Sequence, residues 1–293
     1  MSANTIIDAN YVGSVGRRLD WGPVQNVALP GAGPVTPRQP FPYMLPQWFD
    51  QSVGASRYNS LQVSVNKRLS HDLAFQVSYT LSRSTDDNCG IGASCEIENV
   101  YNRTSNWMRS DTNQPNVFNA SFTVLSPFGK PGSGGNKFLG YVVGGWQFNG
   151  ILSLHSGIPY GVFANTSILN DGGLNSEWAN LVGSPNSGGG KVSQWFNVSA
   201  FADPSPYTFG NYRPNQLYSD WGKNLDISLF RQFRIGLGET RYFEFRAEAY
   251  NVFNNVIFNT PNNNIDNVNA GQVTSAAPAS QPRQLQMGLK FYF

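Results

Sequence analysis

Few side chains in this sequence are placed to do chemistry. Glu244, Arg246 and Glu248 follow one another at a spacing of two, which puts all three charges on one side of an extended strand. Asp226, Gln147 and Asn149 lie at equivalent polar positions of other segments. Such a group could line a path for a polar solute or anchor a neighbouring domain, but a solvated wall with an ion pair to an adjacent strand stands ahead of that reading. His71 falls in an expected turn and His155 near a strand end, and neither has the companions that a zinc site or a nucleophilic triad requires. Cys89 and Cys95 could close a small disulfide loop in an oxidising compartment, and this reading stands ahead of two free thiols and of a metal site. Asp86-Asp87-Asn88 offers oxygen ligands to calcium but lacks the spacing of a calcium loop, so a solvated rim is the better reading. Neither Gly31-Ala32-Gly33 nor Gly236-Leu237-Gly238 follows a buried strand and opens a helix, as a phosphate loop must. Four aromatic residues outside the strands, Trp107, Trp178, Trp195 and Tyr212, could stack on a sugar ring or an aromatic metal chelate. The expectation is a protein that is no enzyme and needs no cofactor.

Composition narrows the class. Of 293 residues only 13% are charged, against about a quarter in an average soluble domain, while 14% are aromatic and there are 30 glycines and 18 prolines. The formal charge of +2 gives no reason to expect a nucleic-acid partner. Mean hydropathy is −0.33 and no stretch approaches the ~20 apolar residues of a spanning helix. Contact with a membrane would therefore be made by strands. The sequence from Met1 to Thr5 shows no basic and then apolar leader, so the chain is expected either to stay in the cell or to be a piece of a longer one.

The elements that must position these groups show period two. Leu285, Met287, Leu289 and Phe291 alternate with Gln284, Gln286 and Lys290; Phe243, Phe245, Ala247 and Ala249 alternate with Glu244, Arg246 and Glu248. The same alternation recurs at Ile7 to Tyr11, Leu61 to Val65, Leu73 to Leu81, Phe118 to Val124, Phe148 to Leu154 and Leu225 to Phe233. That predicts about eight strands of ~10 residues, each with one apolar and one wet face. Their connections alternate as well. Residues 20–57, 85–116, 157–224 and 254–283 are long and rich in Asn, Gly and Pro, whereas Ser70-His71-Asp72, residues 126–144 and residues 236–240 are shorter. Several long loops are foreign to a compact soluble domain. They suit an antiparallel transmembrane β-barrel, with long loops outside and short turns in the periplasm.

Particular stretches carry a resemblance. Tyr58-Asn59-Ser60-Leu61-Gln62-Val63 through Arg68-Leu69-Ser70, Phe75-Gln76-Val77-Ser78-Tyr79-Thr80-Leu81-Ser82-Arg83-Ser84, Gly144-Gly145-Trp146-Gln147-Phe148-Asn149-Gly150 and Ser156-Gly157-Ile158-Pro159-Tyr160 resemble the C-terminal barrel of Oar-like TonB-dependent receptors. So do Trp195-Phe196-Asn197, Asn224-Leu225-Asp226-Ile227-Ser228-Leu229-Phe230, Phe245-Arg246-Ala247-Glu248, Asn251-Val252-Phe253-Asn254 and Pro282-Arg283-Gln284-Leu285-Gln286. The resemblance implies an outer-membrane receptor of about 22 strands in a Gram-negative bacterium, closed by a plug and energised through it by the TonB complex. Residues 1–293 would be the C-terminal part of that barrel, with the plug and N-terminal strands absent. The partners implied are outer-membrane lipid, the remaining strands and plug, and a bulky extracellular nutrient such as a metal chelate or glycan fragment. Two other classes fit the residues: a self-contained eight-stranded barrel with a structural or adhesive role, and a secreted carbohydrate-binding β-sandwich.

Overall fold

A computed structural model describes residues 4–87, 97–128, 143–165, 167–173, 175–235 and 241–293. Period two becomes eight long antiparallel strands: β1 (Thr5–Trp21), β2 (Gln51–Ser70), β3 (Leu73–Asp86), β4 (Asn116–Leu125), β5 (Trp146–His155), β6 (Gly222–Arg234), β7 (Tyr242–Tyr250) and β8 (Gln284–Tyr292). Each pairs with the next in sequence, so the sheet is a simple meander, and Met108–Arg109 adds a short rung to the end of β3. Among the described residues β1 and β8 each have one neighbour, so the sheet is an open arc. No described helix is long and apolar enough to cross a membrane.

Register shows why the alternation matters. Val65, Val77, Ala120, Leu152 and Leu225 lie directly across from one another on successive strands, and so do Ser64, Ser78, Asn119, Ser153 and Asn224 one step along. One face of the arc is thus apolar from edge to edge and the other polar. Its apolar side chains are not covered: Leu61 and Leu81 are each 47% exposed and Met287 78%. A sandwich would bury this face against a second sheet, which rules out the soluble alternative. Arg231 is an exception on the apolar face, held 4.6 Å from the Phe233 ring centroid and 5.7 Å from that of Trp146. A guanidinium over aromatic faces can lie in an apolar surface near its rim.

The long strands differ from expectation in one respect. β1, β2 and β3 run for 17, 20 and 14 residues rather than about ten. At ~3.3 Å per residue, β1 and β2 outrun an apolar band of about 25 Å. Their polar upper portions read as loop in the sequence because apolar alternation ends where the apolar surroundings do. At the opposite end, β2 and β3 are joined by His71 and Asp72 with φ of 52° and 64°, the two-residue hairpin whose twist suits its strands. Lys67 Nζ secures the turn by donating to the carbonyls of Ser70 (2.8 Å) and Leu73 (2.7 Å). His71 is therefore a turn residue.

The hydrophobic core lies in the long connections, all of which gather at one end of the sheet. Tyr160, Val162, Ala179, Phe196, Ala200, Phe201, Tyr212 and Leu217 form one buried cluster, with Phe196 and Val162 at 1% and 0% exposure. Edge-to-face contacts between Phe196 and Phe201 (5.6 Å) and between Phe201 and Tyr212 (4.9 Å) lock it. Burying each such side chain contributes roughly 1.5–3 kcal/mol. Two-residue ladders brace the cluster: Phe163–Ala164 on Glu177–Trp178, Asn180–Leu181 on Phe201–Ala202, and Pro159–Tyr160 on Leu217–Tyr218. The described residues of the long loops form a packed cap and not the unstructured connections that their Asn, Gly and Pro content suggests.

Candidate functional site

The polar face of the sheet brings together the charged and amide residues singled out from sequence. On β7, Arg246 is flanked by Glu244, with Nη2 3.0 Å from Oε1, and by Glu248, with Nη1 3.8 Å from Oε1. The ion pairs therefore run along one strand and not across to a neighbour. Gln232 Nε2 donates to Glu244 Oε2 (3.3 Å), and Lys290 is the register partner of Glu244 on β8. The guanidinium of Arg246 also lies 5.6 Å from the ring centroid of Phe230, an apolar residue on this otherwise polar face. Beside it runs an uncharged row. Gln147 Nε2 and Thr123 Oγ1 both donate to Asn149 Oδ1 (2.9 Å each), and Asn149 Nδ2 donates to Ser228 Oγ (3.0 Å). Pairing register places Asn149, Ser228, Glu248 and Gln286 in one line across four strands. A wall of this kind offers alternating charge and amide groups to a hydrated solute.

Asp226 lies nearer the loop end, where it accepts the backbone N–H of Asn251 (2.8 Å). Asn251, with φ of 48°, was missed as a functional residue in the sequence. Its Nδ2 donates to the carbonyls of Asn255 (2.9 Å) and Gln281 (2.8 Å), fixing both ends of the last long loop. The signal was its type: Asn tolerates the left-handed conformation and bonds locally to backbone. A cavity of about 400 Å³ opens here, lined by His155, Asn224, Asp226, Tyr250, Asn251 and Gln284 among others. A pocket with amide, imidazole, phenol and carboxylate groups is suited to hydrogen bonding with a polyhydroxylated or chelated ligand.

The four loop aromatics have separate fates. Trp178 and Tyr212, at 4% and 5% exposure, are packed into the loop cap, so their ring faces build core in this arrangement. Trp195 is half-buried, donating Nε1–H to the Tyr218 carbonyl (3.0 Å) and meeting Phe258 edge-on at 6.2 Å. Trp107 is half-buried at the end of a short 3-10 turn, and its carbonyl accepts from Arg213. Cys89 and Cys95 lie outside the described residues, as do residues 236–240.

Acidic residues of the loops turned out to be fasteners. Asp87 is not a solvated rim residue: it is buried, pairs with Arg103 Nε at 3.1 Å and accepts the N–H of Ala55 (2.7 Å). Asp86 accepts from Ser110 Oγ. Glu98 reaches from the second long loop into the third, where its Oε1 accepts Trp178 N–H (2.9 Å) and Gly210 N–H (3.0 Å). Glu177 accepts Ile168 N–H (2.9 Å) and Asp171 accepts Gly173 N–H (2.8 Å). Burial pushes the Glu98 and Glu177 carboxyls up to about 7 and raises that of Asp171, with repulsion among the three adding to the effect at both glutamates. Nothing in the sequence distinguished Glu98 or Glu177 from solvated acids.

Comparison with known proteins agrees with this geometry. A family described as an outer membrane beta barrel domain matches residues 1–286. Among solved structures, the outer membrane transporter YddB from Escherichia coli is similar at a TM-score of 0.50 and 12% sequence identity; the match covers 99% of this chain and 30% of that one. This chain thus spans about a third of the length of that transporter. No curated protein matches the sequence.

Proposed function

The chain belongs to the outer membrane β-barrel domain family, and on that premise we propose that it forms one arc of a larger TonB-dependent barrel that takes up a bulky nutrient, a metal chelate or glycan fragment. The observation that carries this reading is the open arc. β1 and β8 have no second partner among the described residues, and open strand edges are not tolerated in hydrocarbon. Further strands would pair both edges and enclose the polar wall of Gln147, Asn149, Asp226, Glu244, Arg246 and Glu248 as part of an aqueous bore. The loop cap above it would capture the nutrient, and exposed groups of Trp107 and Trp195 together with the mouth cavity beside Asp226 would be the first points of contact. A plug inside the completed barrel would couple capture to the inner-membrane TonB complex. The work so done is passage, not catalysis. Similarity to an outer membrane transporter supports the direction of this reading.

Uptake in intact cells tests it, with radiolabelled ferric chelates and labelled oligosaccharides as probes. Accumulation that requires the protein and stops when the proton-motive force is collapsed is the expected result. Accumulation of every probe that persists without the protein, or that is indifferent to the force, overturns it.

A further inference from the structure

Three arginines stand together on the apolar face, directly above its hydrophobic belt. Arg17 on β1, Arg57 on β2 and Arg83 on β3 share the parity of Tyr11, Leu61 and Leu81, so they project from the lipid-facing side. Leu61 and Leu81 are register partners. One pair further toward the long loops, Asn59 faces Arg83; the next pair is Val15 and Thr85 about Arg57; the next is Arg17 and Ala55. Diagonal neighbours at this spacing lie about 7–8 Å apart. All three arginines are exposed, and none makes a side-chain ion pair or hydrogen bond with a described residue.

Two tyrosines mark the level of this cluster. Tyr11 Oη–H donates to Asn59 Oδ1 (2.6 Å) and Tyr79 Oη–H to Asn116 Oδ1 (2.7 Å), so both hydroxyls are directed toward the long loops at the top of the apolar belt. Tyrosines oriented in this way sit where acyl chains give way to headgroups. The arginines begin at that boundary and continue outward for two further rows. Three guanidinium groups that no described residue pairs are favourable on a lipid-facing surface only where anions meet them, and a fork of N–H donors matches phosphate oxygens in pairs. The acidic residues at this end of β3 are already engaged, Asp86 by Ser110 and Asp87 by Arg103 and the Ala55 N–H.

We propose that Arg17, Arg57 and Arg83 form a binding site for the phosphate groups of a phosphorylated glycolipid of the outer leaflet, with the acyl chains lying on the belt around Tyr11, Leu61 and Leu81. The site requires only that this face meets lipid, so it stands or falls separately from the transport reading.

Full-length chain extracted in detergent is titrated with diphosphoryl lipid A, with the same lipid stripped of phosphate, and with inorganic phosphate. Diphosphoryl lipid is expected to bind more than about tenfold more tightly than the stripped lipid, with inorganic phosphate unable to displace it at millimolar concentration. The triple variant Arg17→Ala, Arg57→Ala, Arg83→Ala is expected to lose that preference, while Lys191→Ala, an exposed cation of the loops, keeps it. Should the alanine variant fail to fold, Arg57→Lys with Arg83→Lys carries the test, keeping the charge but losing part of the affinity with the paired geometry. Equal binding of the two lipids, affinity unchanged in both arginine variants, or displacement by free phosphate overturns the assignment.

Discussion

Arg246 holds two carboxylates on its own strand, and removing it leaves Glu244, a buried acid, beside Glu248 without the guanidinium that pairs with both. Arg246→Met is expected to destabilise the folded sheet by about 1 kcal/mol, a modest figure because the Arg246 side chain is 40% exposed and its ion pairs are partly screened by water. Adding Glu244→Gln is expected to restore most of the loss, since the buried charge goes with it. Urea unfolding in micelles of both single variants and the double variant measures the coupling, and additive effects would show that the triad is not a unit. That these residues share a face was legible from their spacing of two. That they pair along the strand was not, because alternation reveals a side chain's face and leaves its neighbours to the register. The arginines above the belt were hidden for the same reason: Arg17, Arg57 and Arg83 are far apart in sequence, and only the pairing of β1, β2 and β3 makes them neighbours.

The loop cap is the element whose stability should respond to pH. Glu98 and Glu177 ionise in the unfolded cap at ordinary carboxyl values and in the folded cap only near 7, because burial penalises their charged forms. Folding therefore favours the protonated acids: the contribution is full below about pH 4.5 and lost as pH rises through about 7, a few kcal/mol in order of magnitude for Glu98. Amide exchange at Trp178 and Gly210 should accelerate from pH 5 to pH 8 beyond the intrinsic chemical increase. Glu98→Gln, which keeps an oxygen acceptor without the charge, should remove much of that excess; an unchanged excess would place the cause elsewhere. Gly210 offers a second handle on the same fastening. A Cβ there would lie 1.9 Å from the Trp178 carbonyl oxygen, so Gly210→Ala must displace backbone and break the Glu98 bridge. Protease nicking of the third long loop should follow, and a cap as resistant as the parent would show that the two segments are not tightly apposed. The sequence hid this element because a cap built from Asn, Gly and Pro with scattered aromatics has no periodicity; its order comes from contacts such as Phe201 with Tyr212 that join distant segments.

At the scale of the whole molecule, apolar side chains of the sheet face outward and the buried core sits among the loops, the reverse of a soluble domain. Alternation of apolar residues and of loop lengths made the barrel wall legible, whereas closure was not, since the same patterning suits a small complete barrel and an arc of a large one. The difference lies in the edges. β1 presents 17 residues and β8 nine, each with one side of the backbone unpaired in the described structure, and every unpaired amide in hydrocarbon costs several kcal/mol. No fold of eight strands can carry such edges in lipid: they must pair with each other or with further strands. Hydrogen exchange on β1 and β8 separates the two outcomes. In the chain produced alone and held in micelles, amides on the outer edges of both strands should exchange quickly while those of β4 and β5 stay protected; in native outer membranes all should be protected. Protection of both edges in the isolated chain would mean that β1 and β8 close upon each other. The polar wall would then surround a narrow interior filled by its own side chains, and passage of a bulky nutrient through it would have to be given up.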